Sequence, residues 1–157
     1  MPADGRRGLE RLQSIARQSP RASSALLFGG ATLTVTYFTW IPDARTSGLA
    51  PALTIAAGAV HAFAGSFTGR RLLDDRRTRS FADAGLVGVW TSLLALAIFS
   101  PLFAIFLFAT DIMQPSNWIG YLVMPVLVAV FAFLAIGWAL MLVSSAVGCV
   151  LYGLASM

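Results

Sequence analysis

Residues 70–80, RRLLDDRRTRS, carry five arginines against two aspartates and lie between two long apolar runs, residues 49–68 and 83–109. Five further arginines lie in residues 6–21, so ten of the eleven arginines fall in two short stretches. Arginine and lysine are in excess in loops that stay on the cytoplasmic side of a membrane. The sequence therefore predicts that both basic stretches face the cytoplasm, with an even number of membrane crossings between them.

The composition excludes a soluble protein. Apolar residues make up 57% and charged residues 11% of the 157 positions, and no charged residue follows Asp111. A soluble domain of this size could not cover such a composition with polar surface. The net charge of +4 flanks apolar runs, whereas a nucleic-acid-binding protein carries its charge on a folded soluble surface. We expect an all-α, multi-pass integral protein of the cell membrane that contacts anionic lipid headgroups and no nucleic acid.

Three crossings can be located from run length. Residues 22–41 would form a helix of about 30 Å, the thickness of the hydrocarbon core. Residues 49–68 return the chain to the cytoplasmic side, and residues 83–109 cross again after the basic loop 69–80. The polar segments 42–48 and 111–118 then form external turns. The chain is thus divided into a basic cytoplasmic segment, residues 1–21, and one transmembrane domain, residues 22–157.

The last uncharged run, residues 119–157, is too long for one perpendicular crossing. As a continuous helix it would extend about 58 Å, nearly twice the hydrocarbon thickness. We expect a fourth crossing over residues 125–147, with Pro125 near its start, and an apolar tail, residues 148–157, at the cytoplasmic interface or against a partner. Four crossings place both termini in the cytoplasm. The alternative is a hairpin of two crossings with a turn near Gly137.

The basic segments have their own expected contacts. Leu9, Leu12 and Ile15 recur at helical spacing, which predicts either a short interfacial helix or a flexible basic tail. The arginines of the loop can reach lipid headgroups by snorkelling. The predicted headgroup contacts are Arg70, Arg71, Arg76, Arg77 and Arg79.

Two stripes of small and polar residues follow helical spacing. The first comprises Thr54, Gly58, His61, Gly65 and Thr68, and the second comprises Gly85, Gly88, Ser92 and Ala95. Small residues allow close helix contact in lipid, and polar ones can bond across the interface. We predict that Gly58, Gly65, Gly85, Gly88 and Ser92 are helix-packing positions, and that the two stripes pack on each other across the basic loop.

His61, with Thr54 and Thr68, is the candidate polar site. An ionisable residue inside a membrane span suggests a functional role, such as proton-coupled transport. The alternative is a neutral histidine that bonds to a neighbouring group of the bundle. In that case His61→Gln should be tolerated, while His61→Leu should lower stability by about 0.6 kcal/mol.

Catalytic and metal-binding patterns are missing from the sequence. Cys149 and His61 are the single cysteine and histidine, which leaves no cluster of ligands for a metal or haem. Asp74 and Asp75 diverge on a helix, and Asp83 is eight positions beyond Asp75, so the three carboxylates do not form a divalent-cation motif. We expect no enzyme activity, no metal and no cofactor.

These observations rank three functions. The first is a non-catalytic accessory, assembly or structural component of a membrane complex, either as a homo-oligomer or as a subunit of a larger assembly. The second is a small oligomeric channel or transporter that uses the polar stripe around His61. The third is a lipid-modifying membrane enzyme.

Overall fold

The computed structural model describes residues 18–40, 49–73, 80–110 and 118–156, together with Gly8 and Ser14. All secondary structure in these residues is helical. The elements are α1 (Pro20–Trp40), α2 (Leu49–Leu73), α3 (Phe81–Ala109), α4 (Trp118–Ala132), a π-helical turn (Phe133–Gly137) and α5 (Trp138–Ser156). The expectation of an all-helical fold is confirmed for this part of the chain. The predicted interfacial helix and most of the basic loop lie outside it.

Among the described residues, three helical segments are long and apolar enough to cross a membrane: Pro51–Gly69, Phe81–Ala109 and Trp118–Ser156. Three such segments in one chain make this a multi-pass membrane protein. Helix α1 has 21 residues but is not among the three, because its sequence, PRASSALLFGGATLTVTYFTW, is diluted by serine, threonine and glycine. Whether α1 crosses the membrane therefore depends on its packing against α2.

Helix α2 is longer than the predicted span. It does not end at Thr68 but continues through residues predicted to begin the loop, as far as Leu73. The extension is packed: Gly69 is buried, and Leu72 is 1% exposed in a core cluster with Phe28, Ala84 and Leu151. Burial of Leu72 in this cluster stabilises the extra helical turn.

Helix α3 begins and ends with side-chain caps. The Ser80 hydroxyl accepts a hydrogen bond from the backbone N–H of Asp83 at 3.1 Å, the geometry of an N-cap. At the other end, the Thr110 hydroxyl donates to the Phe106 carbonyl at 2.8 Å. Pro101 lies inside the helix, which continues past it to Ala109.

The last apolar run forms one helical stretch of 39 residues, Trp118–Ser156. The alternative hairpin is wrong, because a π-helical turn occupies the position of the expected reversal and the chain continues into α5. The helix starts before Pro125, and residues 148–156, which we expected to form a tail, belong to α5. They are helical because Gly148 and Leu151 are buried within the bundle. The membrane boundaries at residues 125 and 147 remain a prediction.

The helices pack as a bundle at one end and separate at the other. Helix α1 packs mainly on α2 and α3 mainly on α5, while smaller interfaces join α2 to α3 and α1 to α5. These four contacts close a ring of four helices. Helix α4 instead packs mainly on α3, and none of its 15 residues is buried. The second half of the long last helix, α5, thus completes the bundle. Its first half, α4, lies outside the ring of four helices.

Candidate functional site

The glycines of α2 lie against α1. The virtual Cβ of Gly65 would approach Cβ of Phe28 to 2.9 Å, and that of Gly58 would approach Cδ2 of Leu33 to 2.6 Å. The Ser24 hydroxyl donates to the Gly65 carbonyl at 2.8 Å, a buried hydrogen bond between the two helices. The expected pairing of the α2 stripe with the α3 stripe therefore needs correction, since the glycine face of α2 is occupied by α1.

The small residues of α3 lie against α5. A Cβ on Gly88 would overlap the backbone of Ser144, and a Cβ on Gly148 would overlap the Ala84 carbonyl. A Cβ on Gly85 would lie 2.9 Å from the Ser145 hydroxyl. The backbones of the two helices are in direct contact here because glycine occupies both sides.

Buried hydroxyl groups join α3 to its two neighbours. Ser92 Oγ lies 2.7 Å from the Ser144 hydroxyl and 3.2 Å from the Leu140 carbonyl oxygen of α5. Thr91 Oγ1 lies 2.8 Å from the Thr68 hydroxyl of α2. Thr68 therefore forms a contact between α2 and α3. It was predicted to share one polar site with Thr54 and His61, but its hydroxyl is paired with Thr91 of α3.

Thr54 and His61 line a partly open cavity of about 460 Å³ that is bordered by α2, α3, the last helix and Thr36 of α1. The wall is made largely of aliphatic and aromatic side chains, among them Phe99, Phe103 and Phe131. The hydroxyl-bearing residues on the wall are Thr36, Thr54 and Ser92. The cavity lies where α4, which packs on α3, separates from α1 and α2, so its existence follows from the packing and not from a sequence motif.

His61 is the titratable residue of this cavity and is 5% exposed. Its Nδ1 lies 3.2 Å from the Ala57 carbonyl oxygen, one turn earlier in α2. Its Nε2 is buried and has no hydrogen-bond partner among the described residues. Buried polar atoms in native proteins are nearly always paired, so this nitrogen requires an explanation.

The π-helical turn also borders the cavity, through Ala135, Ile136 and Gly137. Single π-helical turns inserted within α-helices are frequently found at functional sites. Sequence reasoning did not find this feature. Two features of the sequence could have indicated the π-helical turn: the length of the last uncharged run, and Gly137, which we interpreted only as the site of a chain reversal.

Other predicted site residues are not assembled with His61. The side chains of the five loop arginines, Asp74 and Asp75 lie outside the described residues. Asp83 is exposed in the first turn of α3. In the part of the chain that the structure describes, no group of three or more histidine, cysteine or acidic side chains is placed to hold a metal ion.

No protein-family model matches this chain, no curated protein matches it, and no solved structure matches it. The class that the fold defines is that of small polytopic α-helical membrane proteins.

Proposed function

We propose that this protein is a non-catalytic accessory or structural component of a membrane complex, with four crossings and both termini in the cytoplasm. The observation that carries the proposal is the use of polar side chains inside the bundle. Ser24, Thr68, Thr91, Ser92 and Ser144 make hydrogen bonds between helices. Such bonds stabilise helix association in lipid. Polar groups committed in this way hold helices together and are not available to a substrate.

Four crossings are supported by the pairing of α1 with α2. The contacts of Ser24 with Gly65, of Gly29 with Ala62 and of Leu33 with Gly58 advance along α1 while they recede along α2. Helix α1 therefore runs antiparallel to the apolar segment Pro51–Gly69 over most of its length. A helix packed in this way shares the membrane depth of its partner, so we count α1 as the first crossing.

The orientation is tested by cysteine labelling in a Cys149→Ser background. Cys149 Sγ lies 3.4 Å from the Phe81 carbonyl oxygen, and a serine there retains a donor for that group. Cysteines introduced at Ser47 and Ser116 should react with an impermeant maleimide added outside intact cells, and one at Thr78 should react only after permeabilisation. Labelling of the Thr78 position from outside would reverse the orientation.

The accessory role is tested by purification of the tagged full-length chain in mild detergent. We expect a membrane partner, either a second copy or a different protein, at fixed stoichiometry after size-exclusion chromatography with light scattering. A monodisperse monomer from native membranes, seen also after cross-linking before solubilisation, would contradict the proposal.

Transport is the second candidate, because His61 and Thr54 line the same cavity. Its test is solute or proton flux in proteoliposomes that contain the pure protein. If His61→Gln folds normally and abolishes a pH-dependent flux, transport replaces the accessory role. The lipid-modifying alternative has no further support, since Asp83 is exposed and lies nine residues before Ser92, the first cavity residue of α3.

A further inference from the structure

The unpaired nitrogen of His61 has a defined hydrogen-bonding character. The Ala57 carbonyl oxygen, 3.2 Å from Nδ1, can only accept a hydrogen bond, so Nδ1 must carry the proton. In the neutral imidazole the other nitrogen, Nε2, then presents a lone pair. A group that pairs with Nε2 must therefore be a donor, such as a hydroxyl.

The cavity selects against a charged ligand. Its described lining residues include no arginine, aspartate or glutamate, and its walls are mainly hydrocarbon. An ion in such surroundings would lose its hydration without gaining a counter-charge. The volume of about 460 Å³ lies within the range of roughly 300–1,000 Å³ typical of small-molecule sites.

The rim of the cavity is apolar and exposed. Leu127 and Phe131 of α4 line the cavity and are 44% and 68% exposed. Both lie within the apolar segment that is long enough to cross the membrane. A ligand that enters on this side comes from the hydrocarbon phase and not from water.

We propose that this cavity binds a neutral lipophilic alcohol. Nε2 of His61 is closed to a water-sized group in the ligand-free protein, so the side chains around it must shift for the ligand to reach it. The hydroxyl group then donates a hydrogen bond to Nε2, and the hydrocarbon body lies against the phenylalanines of α3 and α4. Ser92, which also lines the cavity, is already within hydrogen-bond distance of Leu140 and Ser144 of α5. The inference is independent of the accessory role, because a structural subunit and a transporter could each hold such a molecule.

The experiment uses the full-length protein in lipid nanodiscs and two photoreactive probes. One probe is decanol with a mid-chain diazirine and a terminal alkyne, and the other is its methyl ether, which has the same body but cannot donate. We expect the alcohol to label residues of α3 or the π-helical turn, with displacement by unlabelled decanol. The ether should bind about tenfold more weakly, which corresponds to the loss of one hydrogen bond.

Two pairs of variants connect the binding to this cavity. His61→Leu should reduce alcohol binding to the level of the ether, while His61→Gln, which retains an acceptor, should keep the preference. Ala135→Trp places bulk at the cavity wall and should abolish labelling by both probes. Ala129→Trp is its matched control, since Ala129 lies on the same helix but does not line the cavity.

Three results would overturn the proposal. Equal binding of the alcohol and the ether would mean that the cavity takes hydrocarbon without using His61. Unchanged labelling in folded Ala135→Trp would place the probe elsewhere. Absence of labelling by either probe would mean that the cavity holds only water or bulk lipid.

Discussion

Helix α2 is less apolar than the last helix, yet a larger share of it is buried. The segment Pro51–Gly69 is the least hydropathic of the three spanning segments and has the largest buried share, while Trp118–Ser156 is the most hydropathic and has the smallest. In a membrane, lipid solvates an apolar side chain as well as protein does, so apolarity does not drive helices together. Close packing in this protein follows residue size, as the glycine contacts of α2 and α3 indicate.

Residue size also explains the position of the cavity. Helix α5 approaches α3 closely because Gly148 and Gly88 allow their backbones to meet. The residues with which α4 faces the cavity are larger, among them Met124, Leu127 and Val128, and they allow no backbone contact of that kind. Because α5 is held close to α3 while α4 is not packed on α1 or α2, a space is left beside α4.

The largest expected effect comes from adding bulk at the backbone contact between α3 and α5. Gly88→Leu should prevent the folded bundle from forming, with a loss of more than about 4 kcal/mol, because a Cβ there would overlap the Ser144 backbone. The matched control is Gly30→Leu, since a Cβ on Gly30 meets nothing within 4 Å. Yield and melting temperature in detergent measure both. Similar behaviour of the two variants would refute the close contact.

A smaller effect is expected from truncation of apolar side chains in the two halves of the last helix. Leu151→Ala should lower the free energy of unfolding by about 3 kcal/mol, because Leu151 is fully buried in the core cluster. Leu122→Ala should change it by less than about 0.5 kcal/mol, since Leu122 is 66% exposed on α4. Denaturant titration in mixed micelles measures both variants. A large loss at Leu122 would mean that α4 is covered in the native assembly.

Two glycines of α2 should respond differently to the same change. Gly65→Ala should cost about 1 kcal/mol after the gain in helix propensity, because Cβ of Phe28 is fixed to the backbone of α1. Gly58→Ala should stay within about 0.5 kcal/mol, because it meets the end of the Leu33 side chain, which is 40% exposed and can turn away. The same titration compares them, and a larger cost at Gly58 would contradict the arrangement.

A small effect of the opposite sign, or none, is expected at His61 in the ligand-free protein. His61→Leu should leave stability unchanged or raise it by up to about 1 kcal/mol, because it removes a buried nitrogen that has no partner. The sequence alone predicted the opposite sign, since it assumed that the histidine is bonded to a neighbouring group of the bundle. Melting curves with and without decanol test this. A clear loss of stability without ligand would show that Nε2 is paired within the folded protein.

The sequence by itself determined the helical class, the approximate positions of the helices and the residues small enough for close packing. Those properties depend on local composition: apolar run length, breakers such as Pro42 and Pro115, and helical spacing of glycine and serine. The helix ends at Leu73 and Ser156 were missed, because the stabilisation of those turns comes from distant partners of Leu72 and Leu151.

Only the tertiary structure decided which small-residue face meets which. A glycine face on one helix can pack closely against many different helices. The sequence of the α2 stripe therefore could not indicate that α1, and not α3, packs on its glycines. The stripe in fact divides into a glycine face toward α1 and a second face on which His61 and Thr54 line the cavity. That cavity arises from the separation of α4 from the bundle, a relation between helices that no single segment of the sequence contains.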